Sequence, residues 1–245
     1  MTLGYVSEIF SSFQGEGMFA GRRHVFLRMA GCNLRCGYCD TPDSLERTAT
    51  CAVYGPDGAE RSIRNPLGVE DVSSLLEPFL AVPGVHALAL TGGEPLVQAG
   101  FLAELLRAHR PAVPVLLETN GSYPRRLPTV LAFVDIVSMD VKLPSNSGEP
   151  AMWDEHGEFL RVSRGKTVYV KVPVDEATRD EEVREAAKLV AAADSSIVFF
   201  LQPILSKQAE MQVSAQRLER FYDLASGYLG DVRVMPQAHR ALGVR

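Results

Sequence analysis

Three of the four cysteines lie within eight residues, in the stretch from Cys32 to Cys39 that reads CNLRCGYC. They are separated by three residues and then by two, and the apolar run His24–Met29 leads into them. A loop this short can wrap one metal site but cannot easily form disulfides with itself. Cysteine thiolates at short spacings hold iron–sulfur clusters. Three ligands for a four-iron cluster would leave one iron open to a substrate or cofactor.

Length and charge narrow the class of protein. With 245 residues, 46% of them hydrophobic, the chain can bury one substantial core. Its net charge of −5 and lack of a basic block do not favour binding to nucleic acid or to a membrane surface. No signal peptide and no run of about 18 apolar residues is evident. Four cysteines without an export signal predict a reducing, cytoplasmic compartment.

Apolar runs alternate with helix-like segments, which predicts an α/β fold with parallel strands and right-handed crossovers. The predicted strands are His24–Met29, Val85–Leu90, Val113–Leu117, Val134–Met139, Thr167–Val172, Ser196–Leu201 and Val232–Met235. The predicted helices are Val69–Leu80, Gln98–His109, Arg179–Ala193 and Lys207–Ser226. Six or seven strands fall short of eight, so we expect an open, incomplete TIM-type barrel with its site at the carboxyl ends of the strands.

One segment interrupts this alternation. Residues 42–66 occupy the place of a crossover helix after the first strand, and Tyr54-Gly55-Pro56-Asp57-Gly58 is a strong turn signal. We predict a loop or small hairpin here, inserted beside the cysteine loop, within a single domain of residues 1–245. Cys51 lies in this insertion, and we interpret it as a free thiol that packs as a small apolar residue.

The Cys-x3-Cys-x2-Cys spacing, together with Gly92-Gly93-Glu94-Pro95 after the second strand, resembles the radical S-adenosylmethionine superfamily. A zinc knuckle is the alternative, but zinc would require a fourth Cys or His nearby. The resemblance implies that Cys32, Cys36 and Cys39 bind a [4Fe–4S] cluster and that S-adenosylmethionine chelates the fourth iron. The reduced cluster would cleave it to a 5′-deoxyadenosyl radical, so cluster and cofactor, and no protein residue, would carry the radical chemistry.

The same resemblance assigns residues to S-adenosylmethionine. The backbone near Gly93 and the side chain of Glu94 would accept hydrogen bonds from its ammonium group. Further contacts would come from Tyr38, Cys39, Asp40, Ser138, Asp140, Lys142 and Gln202. For the residues on the later strands, an ordinary surface position is the competing interpretation.

Motifs at both ends of the chain narrow the family. Phe13-Gln14-Gly15-Glu16-Gly17, Arg28, Cys39-Asp40-Thr41, Thr91 and the tail Pro236–Arg240 together resemble the 7-carboxy-7-deazaguanine synthases. This resemblance implies an Mg²⁺-assisted radical ring contraction of 6-carboxy-5,6,7,8-tetrahydropterin with loss of ammonia, on the route to queuosine. It also implies a homodimer that is reduced by a small flavodoxin-like protein.

The family resemblance further implies roles for individual residues. Phe13, Gln14 and Gly15 would line the pterin site, Thr91 would contact the substrate, and the Thr41 hydroxyl would bind Mg²⁺. Arg28 would pair with the substrate carboxylate, as guanidinium groups do, although a surface ion pair is the alternative. His239 would line the pocket, and the terminal carboxylate of Arg245 would help to hold the pterin.

Two other functions are open at this stage. An activase that installs a glycyl radical on a partner protein would share the cysteine spacing, but it would lack the Gln14–Gly17 element and the tail. A non-enzymatic zinc or redox module would leave the polar strand ends and the Gly92–Pro95 loop without a purpose.

Overall fold

The computed structural model describes residues 2–244, in which ten strands form one sheet. The strands are β1 (Val6–Phe13), β2 (Arg23–Met29), β3 (Thr50–Tyr54), β4 (Glu60–Arg64), β5 (Ala87–Gly92), β6 (Val115–Thr119), β7 (Ile136–Asp140), β8 (Thr167–Val174), β9 (Val198–Pro203) and β10 (Val232–Val234). Their order across the sheet is β10-β9-β8-β7-β6-β5-β2-β1-β3-β4.

Seven of these strands make the barrel-like part of the sheet. β2 and β5 through β10 are neighbours in order, and every pairing among them is parallel. Each one overlaps one of the seven predicted apolar runs, with bounds that differ by up to two residues. The sheet ends at β10 on one side and β4 on the other, so the barrel is open. The prediction of an incomplete barrel of parallel strands is therefore confirmed.

Helices cover the outer face of this sheet. They are α1 (Val69–Leu80), α2 (Ala99–Ala108), α3 (Leu127–Leu131), α4 (Pro144–Ser147), α5 (Trp153–Val162), α6 (Asp180–Ala193), α7 (Ala215–Ser226) and α8 (Ala238–Leu242). The predicted bounds of α1 are correct, and those of α2 and α6 are correct to within one residue at each end. Among the described residues, no helix has both the length and the apolar character needed to cross a bilayer.

The prediction for α7 was wrong at its start, which lies eight residues later than Lys207. Ala209 has a φ of 63°, and its amide donates to the Ser206 carbonyl in a turn, so the helix cannot begin there. Ser214 then caps the helix, because its hydroxyl accepts a hydrogen bond from the Arg217 amide. The helices α3, α4, α5 and α8 were not predicted.

The insertion extends the sheet beyond the barrel. β3 and β4 form an antiparallel hairpin, one of the two forms predicted for this segment, and β3 pairs in parallel with β1. β1 itself was not predicted. It pairs antiparallel with β2, with Phe10 opposite Phe26. Cys51 on β3 is fully buried in the main core, and burial raises the pKa of its thiol to about 12.

A second, smaller core lies on the inner face of the barrel. Phe10 and Phe26 stack there with ring centroids 4.9 Å apart, and Tyr169 and Phe200 meet edge to face at 5.8 Å. Apart from Phe10 on β1, the buried residues of this core come from the first half or the middle of the parallel strands. Apolar side chains therefore fill the interior at the amino ends of these strands, and the carboxyl ends are left for a polar cavity.

His24 is buried without charge at the edge of this inner core. Its Nε2 lies 3.0 Å from Nδ1 of His86, and burial, with help from His86 and Arg22, lowers the pKa of His24 to about 4. Between pH 4 and 6.5 the folded state therefore binds fewer protons than the unfolded chain at this position. The stability of the protein falls as pH falls through that window.

Replacing His24 with Phe should remove this pH dependence. We expect the free energy of unfolding of the parent protein to fall by about 2 kcal/mol more between pH 7 and pH 5 than that of His24→Phe. Urea unfolding curves of the two proteins at both pH values measure the difference. Equal losses in the two proteins would contradict the assignment.

Candidate active site

On the parallel strands, the side chain two residues after the apolar residue of the inner core is polar. Arg28 follows Phe26, Glu118 follows Leu116, and Lys171 follows Tyr169. Side chains two positions apart on a strand share a face, so these residues form a layer directly above the inner core. The layer forms the floor of a cavity of about 360 Å³ at the carboxyl ends of the strands.

The loop with the three cysteines forms one wall of this cavity. It is held by backbone hydrogen bonds from Cys32 to the Leu45 carbonyl at 3.0 Å and from Gly37 to the Ser147 carbonyl at 2.9 Å. The Arg35 guanidinium donates to the Cys32 carbonyl at 2.9 Å and so braces the loop internally. Cys32, Cys36 and Cys39 are free thiols, half-buried, and all line the cavity.

The chemistry of this wall fits an iron–sulfur cluster. Burial raises the pKa of Cys36 to about 11, which the nearby Lys142 partly offsets, and a bound metal would deprotonate the thiol. In residues 2–244, no three Cys, His or carboxylate side chains converge on one point as the ligands of a single ion do. A four-iron cluster is larger, and its thiolate ligands sit at separate corners.

Gly93 faces the cysteine loop at close range. A methyl group on its Cα would overlap the carbonyl oxygens of Gly31 and Ser44, so only glycine fits. Its amide donates to the Met29 carbonyl at 3.2 Å. The backbone after β5 is thereby held against the start of the cysteine loop, and Gly93 lines the cavity.

Glu94 lies beneath the cavity and does not line it. Its carboxylate is fully buried and accepts hydrogen bonds from the amides of Leu96 (3.0 Å) and Asn120 (2.8 Å) and from the Thr119 hydroxyl (2.9 Å). Burial raises its pKa to about 7. Asn120 in turn donates to the Asn33 side chain at 3.0 Å. The sequence predicted that Glu94 would contact the cofactor in the cavity. In the structure its carboxylate instead joins the ends of β5 and β6 to the cysteine loop.

Lys142 and Asp140 form a group with Tyr38 of the cysteine loop. The Lys142 ammonium lies 3.0 Å from Asp140 Oδ2 and 5.6 Å from the centroid of the Tyr38 ring. Burial alone would lower the pKa of Lys142, but Asp140 outweighs it, so the pKa is raised and the side chain stays charged. Ser138 is buried below this group and does not line the cavity.

A buried charged network occupies the cavity floor. The Lys171 ammonium pairs with Glu16 and lies 3.2 Å from Asp140. Burial alone would raise the pKa of Glu16, but the Lys171 charge outweighs it and holds that pKa at about 2. Gln14 donates to Glu118 at 2.8 Å, and Gln202 donates to Glu16 at 3.3 Å.

Arg28 stands at the edge of the same floor, paired with an acid. Its Nε lies 2.6 Å from Glu8 Oε1, and the guanidinium packs 5.5 Å from the centroid of Phe10. The predicted alternative of an ion pair is therefore present, but at the cavity and largely buried. A guanidinium has five donors, so this pairing leaves Arg28 the chemistry to bind a second carboxylate.

The tail of the chain closes one side of the cavity. Gln237, His239, Arg240 and Val244 line it, and the Ala238 amide donates to the Gly15 carbonyl at 2.9 Å. Arg245, to which a substrate role was assigned, lies outside the described residues.

Most of the predicted site residues meet in this one cavity. It is lined by Phe13, Gln14, Gly15, Arg28, Cys32, Cys36, Tyr38, Cys39, Asp40, Thr41, Thr91, Gly93, Asp140, Lys142, Gln202 and His239. Glu94 and Ser138 lie below its surface. The analysis of the sequence missed Glu16, Glu118, Lys171 and Gln237 as site residues. A charged residue on an otherwise apolar strand, as in the VYVKV of β8, was the signal for Lys171.

Comparison with known proteins agrees with this geometry. The family model described as the radical SAM superfamily matches residues 26–205. A 7-carboxy-7-deazaguanine synthase of Geobacter sulfurreducens is 38% identical over 97% of this chain and 96% of its own length. One from Methanothermobacter thermautotrophicus is 33% identical over 98% and 97%. The crystal structure of QueE from Escherichia coli superposes with a TM-score of 0.60 at 21% identity, covering 97% of this chain and 95% of QueE.

The open barrel, the three-cysteine loop and the match over most of the chain define a radical SAM enzyme. The cofactors of that superfamily are a [4Fe–4S] cluster and S-adenosylmethionine, as the cysteine spacing predicted. Within it, the chain belongs to the family of 7-carboxy-7-deazaguanine synthases, which it matches along nearly its whole length. This assignment decides against the activase and the zinc module.

Substituting Gly15 with Ala should displace the tail. The added methyl group would overlap the imidazole of His239, and α8 has no buried residue to hold it in place. We expect trypsin to cleave after Arg240 about tenfold faster or more, because cleavage follows the population of the open form. Gly100→Ala on α2, where a methyl group meets nothing within 4 Å, is the matched control. Equal cleavage rates would refute the contact.

Proposed function

We propose that this enzyme converts 6-carboxy-5,6,7,8-tetrahydropterin to 7-carboxy-7-deazaguanine with loss of ammonia, on the route to queuosine and other 7-deazapurines. The observation that carries the proposal is the meeting of both chain ends in one cavity. The turn at Phe13–Gly15 and the tail residue His239 lie beside the cysteine loop. These are the segments that distinguish the family from other proteins with the same cysteine spacing.

The cofactor side of the cavity follows from the cysteine loop. Cys32, Cys36 and Cys39 would hold the cluster. When bound, the cluster and S-adenosylmethionine supply one-electron cleavage of the sulfonium and abstraction of a hydrogen atom from the substrate. The residues proposed to orient S-adenosylmethionine are Tyr38, Asp40, Gly93, Asp140, Lys142 and Gln202, all of which line the cavity. Glu94 would act from below, by fixing the ends of β5 and β6, and Ser138 lies buried beneath the cavity surface.

The substrate side carries matching charges. Arg28, held by Glu8, would bind the substrate carboxylate. A pterin ring presents adjacent N–H donors, which suit a carboxylate acceptor, and Glu16 and Glu118 are carboxylates that line the cavity. Lys171 keeps Glu16 ionised, so that its carboxylate remains a hydrogen-bond acceptor. Phe13, Gln14, Gly15, Thr91 and His239 would complete the lining.

Thr41 is the proposed Mg²⁺ ligand. It lines the cavity, and its hydroxyl oxygen lies 4.0 Å from Cys39 Sγ, next to the proposed cluster. Mg²⁺ keeps several waters and needs few protein oxygens, so one hydroxyl with substrate oxygens could complete its shell. The proposal that the carboxylate of Arg245 also contacts the substrate depends on the family resemblance alone.

The organisation of the protein is also a proposal. We propose a single domain of residues 1–245 that works as a homodimer in the cytoplasm and is reduced by a flavodoxin-like donor. The homodimer and the electron donor depend on the resemblance to the family, whereas the single domain is proposed from the chain length and the compartment from the cysteine content. A small-molecule substrate is supported by the size of the cavity.

An anaerobic turnover assay tests the proposed reaction. Protein reconstituted with iron and sulfide, given a reductant, S-adenosylmethionine, Mg²⁺ and 6-carboxytetrahydropterin, should release ammonia and 7-carboxy-7-deazaguanine in equal amounts. Omitting Mg²⁺ should lower the rate. Protein with a full cluster that forms neither product would reject the proposal.

Replacing Arg28 with Ala should weaken substrate binding. Loss of a charge-assisted carboxylate pair costs about 3 kcal/mol, so we expect kcat/KM for the pterin to fall about 100-fold, mainly through KM. Iron content per chain should not change. Arg61→Ala, on the exposed edge strand β4, is the matched control. If Arg28→Ala loses its iron, or keeps its KM, the residue has a different role.

A further inference from the structure

One side-chain nitrogen joins three separate segments at the mouth of the cavity. Gln237 Nε2 donates to Glu16 Oε1 at 2.8 Å and to Asp40 Oδ2 at 2.7 Å. Glu16 follows β1, Asp40 follows the last cysteine of the metal-binding loop, and Gln237 begins the tail. Gln237 is 221 residues from Glu16 and 197 residues from Asp40 along the chain, so only the fold brings them together.

A primary amide suits this place chemically. Its nitrogen carries two hydrogens, and each is directed to a different carboxylate. Hydrogen bonds to ionised acceptors are stronger than those between neutral groups. Glu16 is also held by Lys171 on the cavity floor. Without a donor between them, two carboxylates at one site would repel each other.

Little else holds the tail at this point. None of the residues of α8 is buried, so apolar packing contributes little to its position. Its other anchors are the Ala238 amide on the Gly15 carbonyl and the Arg240 guanidinium on the carbonyls of Ser206 (3.0 Å) and Lys207 (3.1 Å). Gln237 provides the contact to the cysteine loop.

We propose that Gln237 is a positioning residue whose amide fixes Glu16 on the substrate side and Asp40 on the cofactor side of the cavity at the same time. The roles of these two sides depend on the proposed function, but the hydrogen bonds do not. Gln237 thereby links closure of the tail to the arrangement of the loop that carries the cysteines. Loss of its two hydrogens removes the donor that Glu16 and Asp40 share and loosens the tail at this point, although Lys171 still pairs with Glu16.

Two substitutions separate hydrogen bonding from packing. Gln237→Met keeps a similar shape but donates nothing, and Gln237→Glu adds a third carboxylate in place of the donor. Gln216→Glu makes the same chemical change at an exposed position on α7 and serves as the control. Amide hydrogen exchange over residues 237–243, in the full chain with its cluster but without substrate, reports opening of the tail.

We expect exchange in this segment to be about tenfold faster or more in Gln237→Met, and faster again in Gln237→Glu. The control should match the parent protein. Unchanged exchange in both variants would overturn the proposal. This measurement needs no turnover, so it decides the role of Gln237 even if the pterin proves not to be the substrate.

A double-mutant cycle tests the link to Asp40. We expect Gln237→Met and Asp40→Ala each to weaken the equilibrium binding of S-adenosylmethionine. The double variant should have a Kd no higher than that of the single variant that binds the cofactor less tightly. Effects that multiply would overturn the positioning role, because a merely structural glutamine would act independently of Asp40. A raised KM for the pterin in Gln237→Met, with kcat changed less, would support the claim that Gln237 positions Glu16 for the substrate. An unchanged KM would overturn that claim.

Discussion

Inward-facing side chains on the parallel strands change from apolar to polar within two residues, and the site depends on that change. Phe26 precedes Arg28, Leu116 precedes Glu118, and Tyr169 precedes Lys171 on shared faces. The lower layer excludes water from the barrel interior and supports the upper one. Because the sheet curves without closing, the upper layer surrounds a cavity that is large enough for a small molecule and open to one side.

A charged side chain that is buried in the floor of the cavity needs a partner of opposite charge or a set of hydrogen bonds. Lys171 is almost fully buried and stays charged because Glu16 and Asp140 are next to it. Glu94 is also fully buried, but its partners are mainly backbone amides, and its pKa rises accordingly. The two glutamates therefore differ in role. Glu16 remains an ionised acceptor at the cavity, and Glu94 joins the loops beneath it.

Local patterns were enough to predict most of the architecture. The seven apolar runs became the seven parallel strands because a continuous apolar run needs no distant partner to be recognised, and all of them except the edge strand β10 are largely buried. β1 was missed because polar residues interrupt its apolar ones. The start of α7 was misplaced because a left-handed residue at Ala209 ends the turn before it, and propensity does not reveal that conformation. The hairpin of the insertion was one of two forms expected.

The sequence by itself determined the chemistry that the chain can offer. The spacing of Cys32, Cys36 and Cys39 favours an iron–sulfur centre over zinc, since the three thiol ligands lie within eight residues and no fourth ligand follows in the loop. Only the tertiary structure decided which other groups face that centre. Gln237 reaches Glu16 and Asp40, and Glu94 is bonded to the end of β6 beneath the cavity, because strand order and register bring distant residues within hydrogen-bonding distance. Contacts between residues so far apart along the chain leave no local pattern from which they could have been predicted.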